Sequence, residues 1–117
     1  MKEQYSELNE ELLVLLFTIE RICGAKVGGG EFKGRVEREF VDVRHIFSYI
    51  AIVHLAYTHK QVKLWMGFKS LSNITYALRR IRQFIEYDVP YRNRLYNIAI
   101  ECGVMGLLKD VIKEVDG

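Results

Sequence analysis

The chain has 117 residues, with 17 Lys and Arg against 15 Asp and Glu and a formal net charge of +2 at neutral pH. Half of it is hydrophobic, 27% is charged, and a single proline stands among nine glycines. This balance excludes disordered, collagenous and low-complexity chains, and the length fits one helical domain over 1–117 with one core, too small for a motor or a two-domain nucleotide enzyme.

Two cysteines, Cys23 and Cys102, allow at most one bridge, far from the dense framework of a small secreted domain. Both therefore read as reduced thiols of a cytoplasmic protein. Acidic residues up to Glu11 are unlike the basic and then apolar layout of a signal peptide. The weakly polar stretch 46–59 is shorter than the roughly 20 residues of a membrane span and contains His54, so no membrane partner is expected.

Taken in chain order, residues 3–22 place Leu8, Leu12, Leu15, Leu16, Ile19 and Ile22 at helical spacing and predict an N-terminal helix. Leu13, Val14 and Phe17 add apolar surface on its other faces, which suits burial against the core or a second copy. Five glycines between 24 and 34 cost too much backbone entropy for a regular element and predict a loop. Val43, Ile46, Phe47, Ile50, Val53 and Leu55 predict a strongly apolar central helix over 40–57. A short helix over 60–66 ends at Gly67, followed by a turn to Ser70, which suits an N-cap. Leu71, Ile74, Leu78, Ile81 and Ile85 then give one apolar face of a longer helix. Asp88 and Pro90 restart the chain for two C-terminal helices over about 90–116, parted at Gly103. No alternating strand pattern of useful length is present.

Charge is uneven along this framework. Residues 1–30 carry three Lys and Arg against five Asp and Glu, residues 31–94 carry twelve against six, and residues 95–117 carry two against four. A basic middle between two acidic ends can face a polyanion while the whole molecule stays near neutral.

The basic residues concentrate where the helical pattern is most suggestive. A short helix, a glycine turn and a longer helix with an apolar inner and a basic outer face, over about 58–88, outline a helix-turn-helix. In such a unit the first turn of the second helix reaches base edges in the major groove while flanking cations meet phosphates. Ser70, Ser72, Asn73 and Tyr76 are the candidates for base contact. Lys69, Arg79, Arg80 and Arg82, with Arg44 and Lys60 nearby, are the candidates for phosphate contact. Lys33, Arg35 and Arg38 form a candidate arm for the minor groove.

These residues resemble a known family, the DNA-binding C-terminal domain (domain IV) of the bacterial replication initiator DnaA. The family's recognition helix reads approximately L-G-x-R-D-H-[ST]-T-V-x-H-A-x-[KR]-[KR]-I, and residues 66–81 read MGFKSLSNITYALRRI. Gly67, Ser72, Ala77, Arg79, Arg80 and Ile81 match, while Lys69 and Ile74 are conservative replacements. Upstream, residues 38–46, REFVDVRHI, are similar to the basic segment that enters the family's core helix. The resemblance implies an all-α fold of about six helices around the helix-turn-helix, of the Trp repressor-like kind. It also implies double-stranded DNA binding in replication initiation or its regulation. Ser70 and Leu71 stand where the family has its base-reading Asp-His pair, and Asn73 where it has Thr. The ATPase module that precedes the domain in the family has no counterpart here, so the chain reads as a stand-alone relative without ATPase activity.

Other chemistry finds little to rest on. The glycine loop reads GGEFKGR over 29–35 and lacks the Lys and Ser/Thr of a phosphate-binding loop. The three histidines and two cysteines lack zinc spacing, and no nucleophile motif appears. No enzyme activity, cofactor or metal is expected. The competing expectation is a helical module that kept the fold, lost specific DNA contact, and binds a second copy or a replication protein instead.

Overall fold

A computed structural model describes residues 8–25 and 38–116, apart from the side chains of residues 38 and 113–116. Among these residues the chain is all-helical: α1 (Glu10–Cys23), α2 (Arg38–Tyr49), a π-helical turn (Ile50–His54), α3 (His59–Met66), α4 (Leu71–Tyr87), α5 (Val89–Cys102) and α6 (Met105–Asp116). The expected glycine loop lies mostly outside the described residues.

Local chemistry sets most of the boundaries. Asn9 caps α1 by accepting from the Leu12 amide at 2.9 Å, so no helix runs unbroken through residues 8 and 9 as the 3–22 reading required. Residues 3–7 lie outside the described part. Thr58 and Gln61 form a reciprocal capping box that starts α3 at His59. Asp88 caps α5 by accepting from the Tyr91 amide at 3.0 Å, with Pro90 in the first turn. Gly67, at φ 69°, ends α3 in the left-handed conformation that only glycine adopts without strain.

Packing centres on α2, which lies against α1, α3 and α4, while α5 closes the other side against α1, α4 and α6. Ile46, Phe47 and Ile50 are fully buried, together with Leu16 and Ile19 from α1, Ile74 and Ile81 from α4, and Leu95 and Ile98 from α5. Val14 and Phe17, read from the sequence as further buried surface, are instead 53% and 50% exposed.

The expected single helix over 40–57 divides. After Tyr49 the backbone widens, so that the Leu55 amide bonds to the Ile50 carbonyl at 3.1 Å and the Tyr57 amide to the Ala51 carbonyl at 3.0 Å. Ala56 takes a positive φ of 64°, a conformation that costs a non-glycine residue about 1 kcal/mol or more. The widened turn carries His54 to Asp110 of α6, where His54 Nε2 lies 2.8 Å from Oδ2 and the Tyr49 hydroxyl donates to the same oxygen at 2.8 Å. Burial and the Asp110 carboxylate both push the Tyr49 phenol upward.

The His54 ring sits so close to Gly106 that a Cβ there would overlap it. Replacing Gly106 with alanine is expected to lower the unfolding free energy by about 1–2 kcal/mol despite alanine's better helix propensity, because the ring must leave Asp110. Urea denaturation measures this, and a variant as stable as the parent would show that the ring relaxes freely.

Candidate nucleic-acid interface

The α3–turn–α4 unit is held from inside by α2. Arg44 donates from Nε to the Met66 carbonyl at 3.1 Å and from Nη2 to the Gly67 carbonyl at 3.4 Å. Its guanidinium also lies 4.6 Å from the centre of the buried Phe68 ring. Arg44, a candidate phosphate contact from sequence, therefore serves the last carbonyls of α3 and fixes the angle between the two helices.

On α4, Ile74, Ala77, Ile81 and Ile85 face the core. The opposite side is open, with Ser72, Asn73, Thr75, Arg79, Arg82 and Gln83 exposed and Tyr76 exposed at 53%. Its acidic groups come only at the far end, at Glu86 and at Asp88 beyond the helix. Arg80 lies on the flank of this face, half-buried, its guanidinium 4.6 Å from the Phe84 ring centre and donating to Gln83 Oε1 at 3.4 Å.

Two residues differ from their expected placement. Leu71, assigned by spacing to the inner face, is 43% exposed and lies beside Leu64 of α3. Ala77 is fully buried where spacing placed Leu78, which is only half-buried. Ser70 occupies the N-cap position, yet its hydroxyl meets the Ser72 hydroxyl at 2.8 Å and caps no amide. Arg82, a candidate phosphate contact, is exposed and lines a hollow of about 360 Å³ with Tyr49, His54, Glu86 and Asp110.

His45 carries no role in the sequence reading but belongs to this surface. Its ring meets Tyr76 edge-on at 6.0 Å between centroids and Phe68 at a tilt at 6.4 Å. Burial, and then the positive charges of Arg44 and Arg80, hold its pKa down to about 4. Tyr76 is thus braced by a neutral imidazole. Only the adjacency of His45 to Arg44 in sequence hinted at this, since the contact spans two helices.

Of the other predicted residues, Lys69 is exposed on the turn and Lys60 is exposed on the first turn of α3. Lys33 and Arg35 lie outside the described residues, and Arg38 is the first residue of α2, its side chain not described. Among the described residues no three His, Cys, Asp or Glu could share a metal ion, and no helix is long and apolar enough to cross a membrane. Comparison with protein-family models, curated proteins and solved structures finds no match.

Proposed function

We propose that this chain binds double-stranded DNA through a helix-turn-helix, with α4 in the major groove and Ser70, Ser72, Asn73 and Tyr76, at its N-cap and first two turns, at base edges. The observation that carries this reading is the open side of α4. It is polar and basic over its first three turns and backed by an apolar face and a turn clamped at Arg44. Lys60, Lys69, Arg79 and Arg80 flank it with positive charge suited to phosphates. The similarity of residues 66–81 to the recognition helix of DnaA domain IV supports a role in replication initiation or its regulation.

Salt titration tests the proposal. With about four phosphates neutralised, affinity for a duplex is expected to fall on the order of a hundredfold for a fourfold rise in salt. Replacing Arg79 and Arg80 together with alanine is expected to reduce the logarithmic salt slope by about 2. Fluorescence anisotropy with labelled duplexes reads both, and salt-independent or Arg-independent binding would sink the idea. The half-exposed Val14 and Phe17 on α1 favour a second reading as a protein-interaction module. Sedimentation would then find a dimer, and a monomer that binds duplex DNA would count against it.

A further inference from the structure

We infer that Leu71 is a specificity residue that recognises the 5-methyl group of a thymine, an inference that rests on the DNA-binding reading of α4. Leu71 is the first residue of α4 and is 43% exposed, at the helix end whose side chains reach base edges in a helix-turn-helix. A large apolar side chain there is costly in water and cannot hydrogen-bond, so its partner must be apolar. The major groove offers one apolar feature on its base edges, the thymine methyl.

The surroundings of Leu71 select the same partner. Leu64 of α3, exposed at 66%, forms with Leu71, Lys60 and Lys63 a shallow hollow of about 360 Å³. Two leucines between two ammonium groups make a poor seat for an apolar protein helix, which would desolvate both charges without pairing them. A duplex satisfies both halves, since its methyl groups lie between rows of phosphates. Leu71 then packs on the methyl, Leu64 shields that contact from water, and Lys60 and Lys63 turn to the backbone. Ser72 and Asn73, next along the first turn, are left for the polar base edges beside it.

The test uses the full chain and a duplex obtained by selection from random sequences. Each thymine of the selected site is replaced in turn by deoxyuridine, which removes the 5-methyl group and leaves pairing intact. One such replacement is expected to weaken binding by the parent about fourfold, the worth of one buried methyl group. The same replacement is expected to leave binding by Leu71→Ala unchanged, while Leu71→Met retains part of the effect. Because Leu71 is exposed, neither variant is expected to disturb the fold. A selected site without a fixed thymine, a parent insensitive to every deoxyuridine, or a penalty that persists in Leu71→Ala overturns the inference while DNA binding stands. Absence of any salt-dependent duplex binding overturns the reading of α4 itself and this inference with it.

Discussion

Acidification from pH 7 to pH 4 is expected to weaken the fold by roughly 3 kcal/mol through His45 alone. Its pKa is lowered from 6.5 to about 4, first by burial and then by the charges of Arg44 and Arg80. Between these values the unfolded chain binds a proton that the folded chain refuses. The contribution is therefore intact above pH 6.5 and is lost as pH falls through the interval to about 4. His45→Gln removes the titration while keeping a polar side chain against Tyr76 and Phe68. Urea denaturation at pH 7 and at pH 4.5 should show a distinctly smaller loss in the variant than in the parent. Equal losses would mean that the imidazole reaches water and is not held neutral.

The way His45 escapes notice in the sequence illustrates which physical information a linear pattern holds. Helix identity here is local: Gly67 ends α3, Asp88 and Pro90 start α5, and Gly103 ends α5, each through a backbone preference acting within one or two residues. The Thr58-x-x-Gln61 box that moves the start of α3 to His59 is legible in the same manner. The π-helical turn is not. Apolar spacing continues from Ile46 through Val53, and the partner that the widened turn brings His54 to, Asp110, lies 56 positions further on. Arg44 and Leu71 show the corresponding difficulty at the candidate site. Composition marks Arg44 as a cation for phosphate, but the carbonyls of Met66 and Gly67 engage it once α2 crosses behind the turn. Spacing assigns Leu71 to the core, but the folded chain leaves it 43% exposed beside Leu64 of α3. Residue type thus identifies the basic surface, whereas the division of labour on it depends on tertiary placement.

Replacing Arg94 with methionine is expected to cost about 3 kcal/mol, the second large effect. Asp42 of α2 is only 6% exposed, and it accepts from the Tyr91 hydroxyl and from Arg94 Nη1, each at 3.3 Å. The two donors come from α5, so this carboxylate ties the central helix to the helix that closes the core behind α4. Burial and the Asp42 charge together push the Tyr91 phenol upward, and burial drives the nearby Cys23 thiol up to about 11, which leaves it a poor nucleophile at neutral pH. Removing the cation takes its positive charge and a hydrogen bond away from a largely desolvated carboxylate, a change that costs about 3–5 kcal/mol in fully buried pairs. The lower end applies because Arg94 is 35% exposed and water partly screens the pair. Adding Asp42→Asn to the Arg94 variant should return about 1 kcal/mol or more, since a neutral amide can still accept from Tyr91 without carrying a buried charge. A double-mutant cycle from urea midpoints measures this coupling. Strictly additive losses, or an Arg94 variant as stable as the parent, would show that solvent already supports the Asp42 charge and that α2 and α5 are held by apolar packing alone.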